Sequence, residues 1–90
     1  MKVVISIPAY NEEKTIANVI HDIRKVMESL KYKYIIQVVD DGSKDNTVKL
    51  AKAAGARVYS HPDNYGLAEA FKTEMTKALE NKADVIVHTD

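Results

Sequence analysis

Two kinds of apolar run alternate along this chain. The first kind is short and nearly unbroken: Val3-Val4-Ile5-Ser6-Ile7, then residues 34–39, 57–60 and 84–88. Runs of four to eight apolar, often β-branched residues between turn signals are the pattern of strands buried on both faces. The second kind is spaced. Ile16, Val19, Ile20, Ile23, Val26 or Met27, and Leu30 recur on one helical stripe, with Lys14, Asp22, Lys25 and Glu28 mostly opposite. Val48, Ala51 and Ala54 predict the inner face of a second helix. Leu67, Phe71, Met75 with Ala78, and Leu79 predict that of a third, over residues 67–80.

Punctuation supports these bounds. Pro8 is expected to end the first strand, because it cannot donate to a ladder. Asn11 is expected to cap the first helix near residues 11–13, with Glu12 and Glu13 suiting its positive end. The second helix is expected to start at residues 45–47, and Gly55 suits its left-handed stop. His61-Pro62-Asp63-Asn64-Tyr65-Gly66 reads as a loop. The order is β-α-β-α-β-α-β. It predicts an α/β, three-layer domain: a parallel four-stranded sheet with helices on both faces. Residues 1–90 form one domain in this reading, with no repeat or linker.

That topology gathers chemistry. Polar clusters follow every strand: Tyr10-Asn11-Glu12, Asp40-Asp41, residues 61–66, and Asp90. In a parallel sheet all four project from one edge, where ligands of open α/β sheets bind. Two adjacent carboxylates at a strand tip cost desolvation unless they meet a donor, a cation or water. They read first as a binding site; the alternative is that one caps a helix and the other is solvated. Tyr10 can cover a planar base by stacking, or pack on the first helix as a rim residue. Asp41 can accept from a base N–H. Glu12 can do the same, or simply favour the helix start. Residues 64–66 open the third helix, whose N–H groups can hold phosphate.

Composition narrows this little. Thirteen Lys and Arg balance thirteen Asp and Glu, so no compositional case exists for a nucleic-acid partner. There is no cysteine, hence no disulfide framework and no thiolate metal site. The first eight residues read as a strand, not a signal peptide, and a cytoplasmic location is the default expectation. The dinucleotide and P-loop glycine motifs are absent, with glycines only at 42, 55 and 66. His21, His61 and His88 are not at metal-site spacing, and each reads as structural or solvated. A receiver-like phosphoacceptor would carry its paired acids after the first strand; here that strand ends in Pro8-Ala9-Tyr10.

Ile5-Ser6-Ile7-Pro8-Ala9-Tyr10-Asn11-Glu12-Glu13-Lys14-Thr15-Ile16, followed by Val38-Val39-Asp40-Asp41-Gly42-Ser43-Lys44-Asp45-Asn46-Thr47, closely resembles the start of family 2 glycosyltransferases of the GT-A fold. The flavour is that of the dolichyl- and polyprenyl-phosphate sugar synthases. Asn64-x-Gly66 with Ala70, and residues 83–90, continue the likeness. The resemblance implies a nucleoside-diphosphate sugar, UDP- or GDP-linked, and Mg²⁺ or Mn²⁺ in the full-length enzyme. It implies that Pro8, Ala9 and Tyr10 line the base, that Glu12 and Asp41 hydrogen-bond base or ribose, that Asp40 supports the turn and that Gly66 adjoins the nucleotide. It aligns Asp90 with the first acid of a D-x-D metal motif. The sequence stops there, so the likeness implies the N-terminal, nucleotide-binding half of an enzyme, binding without turnover. A membrane would enter only through C-terminal parts or a lipid acceptor, at its cytoplasmic face. The alternative expectation is a non-catalytic fragment that forms a homodimer through the edge of strand 4. Two positions depart from the family: Glu74 stands where glycine is frequent, and His88 where an apolar or aromatic residue is commoner.

Overall fold

The computed structural model describes residues 1–89. The elements are β1 (Lys2–Ala9), α1 (Ile16–Leu30), β2 (Lys33–Asp40), α2 (Thr47–Ala53), β3 (Arg57–Ser60), α3 (Leu67–Glu80) and β4 (Val85–His88). All strand pairs are parallel, in the order β3-β2-β1-β4. Strand alternation sorts the two faces. Val3, Ile5, Ile7 and Ala9 of β1 join Ile36 and Val38 of β2 in one core with Ile16, Ile20 and Met27 of α1 and Ala51 of α2. On the opposite face, Ser6 and Gln37 meet Glu74 of α3. The three layers are therefore α1 and α2, the sheet, and α3. Among the described residues no helix is long and apolar enough to cross a membrane.

β1 does not stop at Pro8; it runs through to Ala9, with Pro8 paired to Val39. The main-chain oxygens of Lys2 and Ser6 face β4, whereas that of Ala9 faces β2. Pro8 shares the β4-facing parity, and the last β1–β4 pair among the described residues is Ser6 with His88. Its missing N–H thus falls where no ladder partner is needed.

α1 also starts later than its sequence pattern predicts. Asn11 does not cap it: this residue sits at φ 52 and spends its side chain on Lys44 N. Thr15 holds the N-cap position without a side-chain cap. α2 closes as predicted. Gly55 takes φ 93, Gly55 N donates to Lys52 O and Ala56 N to Ala51 O. These are the two bonds of a left-handed helix stop.

The third helix brings the largest correction. Of its predicted stripe Ala78 is buried and Met75 half-buried, but Leu67, Phe71 and Leu79 do not face the sheet. Ala70, Glu74 and Ala78 are buried, while Leu67, Phe71 and Leu79 are 82%, 48% and 67% exposed. Two alanines let the helix sit close to the strands; Ser6 and His88 bond the Glu74 carboxylate, while Gln37, paired in register with Ser6, bonds the main-chain oxygen of Glu74. The side chain of Glu74 is nearly inaccessible, so burying it is viable only with those bonds.

Candidate functional site: a cleft at the strand tips

The loops after β1 and β2 are tied together before either helix begins. Asn11 N donates to Ser43 Oγ at 2.8 Å, Glu12 N to Thr47 Oγ1 at 2.8 Å, and Lys44 N to Asn11 Oδ1 at 2.9 Å. Asp45 accepts from Thr47 N and from the Thr47 hydroxyl. The Thr47 hydroxyl bond, ahead of the smaller backbone contributions, holds the Asp45 carboxyl below its usual range. The Glu12 side chain therefore leaves from a cross-braced turn.

Asp40 and Asp41 divide their labour. Asp40 Oδ2 accepts from Ser43 N at 3.0 Å, supporting the turn as the resemblance implies. Its other oxygen is buried with no partner among the described residues. Asp41 is drawn into the next loop. Its Oδ1 accepts from His61 Nδ1 and from Tyr65 N, and its Oδ2 from Gly66 N, all at 2.9 Å. Burial alone would raise the Asp41 pKa. His61 and the two backbone donors outweigh it, so the group titrates below its usual value of 3.8. The N–H groups of residues 65 and 66 are thus already engaged by a carboxylate, so of the residues that open α3 these two do not await a phosphate. Gly42, at φ +81, lets this happen: a Cβ there would meet Asp63 C at 2.4 Å.

These braces enclose a cleft of about 690 Å³, lined by Pro8, Ala9, Tyr10, Glu12, Asp41 and Gly66, with Asn64, Leu67, Ala70, Phe71, Glu74 and His88 completing it. Six of the seven nucleotide residues picked from sequence converge on it; Asp40 is not part of its lining. Tyr10 is 45% exposed and lines the cleft. Asp90 lies outside the described residues. Among the described residues no group of three His, Asp or Glu is placed to hold a metal ion.

The floor holds what the sequence reading missed. Ser6 Oγ donates to Glu74 Oε1 at 2.6 Å, Gln37 Nε2 to Ser6 Oγ and Glu74 O at 2.9 Å each, and His88 Nε2 lies 3.1 Å from Glu74 Oε2. Glu74 and His88, the two positions that the resemblance singles out, meet each other. The available signal was Ser6 opposite Gln37, two polar residues at one register position inside otherwise apolar strands.

Over residues 4–90 the sequence matches the profile of Glycosyl transferase family 2. The chain belongs to that family. It is 37% identical to the UDP-N-acetylglucosamine–dolichyl-phosphate N-acetylglucosaminyltransferase of Methanococcus voltae, over 93% of this chain and 38% of that enzyme. It superposes on mannosyl-3-phosphoglycerate synthase from Rubrobacter xylanophilus with a TM-score of 0.77 and 27% identity, covering 86% of this chain and 27% of that one. Against glucosyl-3-phosphoglycerate synthase from Mycobacterium tuberculosis, solved with Mn²⁺, UDP and glucosyl-3-phosphoglycerate, the TM-score is 0.74 at 31% identity. That match covers 99% of this chain and 33% of the synthase. The fold of this family-2 chain is thus that of GT-A glycosyltransferases, and it spans about a third of the length of these relatives.

Proposed function

We propose that this family-2 chain is the donor-binding part of a glycosyltransferase, and that its cleft takes the nucleoside diphosphate of a UDP- or GDP-linked sugar. The observation that carries the reading is the convergence of Pro8, Ala9, Tyr10, Glu12, Asp41 and Gly66 on one cleft at the carboxyl ends of parallel strands. In this reading Tyr10 stacks on the base. Asp41 has three donors on a carboxylate that accepts about four, so it keeps one acceptor position for a base N–H or ribose hydroxyl. Glu12 offers a second acceptor at the rim, and Asp40 keeps the β2 turn in place.

Among the described residues no lysine or arginine lines the cleft. A diphosphate there meets carboxylates rather than side-chain cations, which favours a divalent ion as its counter-charge. Mn²⁺ in the glucosyl-3-phosphoglycerate synthase complex supports this choice. The proposed protein ligand is Asp90, and the ion would offset charge on the leaving nucleotide. Residues 1–90 then bind donor without transferring sugar, the acceptor-side groups belonging to the longer protein. A sugar-transfer and donor-hydrolysis assay with Mn²⁺ tests that part; robust turnover by these residues would refute it.

The binding claim is tested by NMR titration with UDP, GDP, CDP and ADP, with and without Mn²⁺. Shifts confined to Tyr10, Glu12 and Asp41 are expected with one nucleotide. Tyr10→Ala should weaken that binding by roughly 5–150-fold, the 1–3 kcal/mol of one stacking contact. A folded chain that shifts with none of the four would overturn the reading.

A second reading rests on a different observation. The outer edge of β4 has no strand partner among the described residues. Val85 and Val87 beside it are 39% and 44% exposed, as are Leu67, Phe71 and Leu79 on α3 to still greater degree. An uncovered apolar edge pairs readily with another chain, here a second copy. Light scattering decides: a clean monomer at high concentration would count against it, and Val87→Lys should dissociate a dimer.

A further inference from the structure

His61 lies behind the cleft wall rather than in it. Its Nδ1 is 2.9 Å from Asp41 Oδ1 and its Nε2 is 2.7 Å from Thr73 Oγ1. Its ring also packs on Tyr65, with centroids 5.0 Å apart. The Asp41 carboxylate only accepts, so Nδ1 carries the hydrogen of that bond, and Nε2 pairs with the Thr73 hydroxyl. One side chain therefore ties the tip of β2 to the second turn of α3, with the loop of residues 61–66 strung between. Asp41, Asn64, Gly66 and Leu67, which this loop and its anchor position, make one wall of the cleft. The side chain of His61 is 12% exposed, so the bridge is shielded from competing water.

We infer that His61 is a positioning residue for nucleotide binding: through its Nδ1–Asp41 bond it holds the residue 61–66 wall of the cleft in its binding-competent position. This inference rests on the donor-binding reading above. The two backbone donors to Asp41, Tyr65 N and Gly66 N, come from the loop itself, and any residue there supplies them. His61 is the contact on Asp41 that a side chain provides, and the one that reaches α3. When the wall spends only part of its time closed, apparent affinity falls by the closed fraction. A loop closed about one-tenth of the time binds about tenfold more weakly, with no ligand contact removed.

The two ring nitrogens can be tested separately. Asparagine places an amide donor near the Nδ1 position; glutamine places one near Nε2. UDP binding by residues 1–90 is measured with Mn²⁺ for wild type, His61→Asn, His61→Gln and Thr73→Val. Each variant is first shown by its NMR spectrum to be folded. His61→Asn should bind within about threefold of wild type, and His61→Gln about tenfold more weakly, the scale of one hydrogen bond to a charged group. Thr73→Val, which leaves the Asp41 bond intact, should bind like His61→Asn. The amides of Tyr65 and Gly66 should lose exchange protection in His61→Gln and keep it in His61→Asn. A merely structural histidine would not separate asparagine from glutamine at equal folded population. Equal affinity of the asparagine and glutamine variants overturns the inference while the donor-binding reading stands. Absence of binding of UDP, GDP, CDP and ADP alike by folded wild type overturns both. If His61→Gln does not fold, His61→Asn and Thr73→Val decide, since both keep a donor on Asp41: binding about tenfold weaker than wild type by either, with the Tyr65 and Gly66 amides still protected, would refute the role.

Discussion

Replacing Asp41 by asparagine probes the joint on which the cleft depends. The carboxylate receives three N–H donors at 2.9 Å from His61, Tyr65 and Gly66. Asparagine keeps one oxygen. Its best orientation serves His61 and Tyr65 and turns the amide NH₂ toward Gly66 N, donor against donor. One charge-assisted bond is lost, at about 1.5–3 kcal/mol, and two others become neutral ones at a further fraction each. The expected destabilisation is about 2–4 kcal/mol, against a total of roughly 5–13 kcal/mol for a domain of this size. Urea unfolding followed by circular dichroism measures it. The pH dependence supplies an internal check. Asp41 titrates below 3.8 in the folded chain, so its contribution is present above the unfolded value and is lost as pH falls through the folded one. Asparagine does not titrate. The stability gap between the two proteins should therefore hold steady from pH 7 down to about pH 4 and close below it. A gap under about 1 kcal/mol at neutral pH, or one that stays constant into the acid range, would refute the assigned role of this carboxylate.

Other substitutions test other contacts. Gly42→Ala forces a Cβ to 2.4 Å from Asp63 C at a φ of +81, and should cost about 2–3 kcal/mol in urea unfolding. Lys82, at φ 60, occupies the left-handed stop after α3, where Ala83 N bonds Ala78 O. Lys82→Gly should stabilise by about 0.5–1 kcal/mol, a rise of roughly 2–8 °C in Tm by calorimetry. Glu74→Ala removes the acceptor for Ser6 and His88 and leaves a cavity under α3. It should cost about 3 kcal/mol, whereas Glu74→Gln, which keeps the volume, should cost about half as much by the same assay.

What could be read from the chain follows the physics of each signal. Strand and helix order came from apolar spacing, which is local, and the bounds of β3 and α3 agree with the structure residue for residue. The convergence of Tyr10, Glu12, Asp41 and Gly66 followed from parallel topology, a consequence of that order. The inner face of α3 did not follow. Two adjacent rows of residues at spacing four compete there, and apolarity favours 67, 71, 75 and 79, with 78, over 70 and 74. Packing distance decided instead, with Ala70 and Ala78 allowing close approach and strand-borne Ser6 and His88 paying for the burial of Glu74. Asn11 has good capping chemistry, yet its side chain was claimed by Lys44 N, a partner 33 positions away. Asp41 likewise has all three partners 20 to 25 residues downstream. Competition among long-range partners is invisible to any window along the sequence.

The set made by Ser6, Gln37, Glu74 and His88 has a consequence for how such a chain can diverge. Its members come from β1, β2, α3 and β4, so each sits in a separate stretch of the gene. Glycine at 74 alone would leave the Ser6 hydroxyl without its acceptor and open a void, although Gln37 would keep its bonds to Ser6 Oγ and to the main-chain oxygen of residue 74. Restoring an apolar residue at 88 alone would leave a carboxylate short of a donor. Every single step away from this arrangement passes through a less stable intermediate. Change at these four positions should therefore be inherited in blocks, with the order of substitution constrained, and descendants carrying Glu74 should tend to carry its companions.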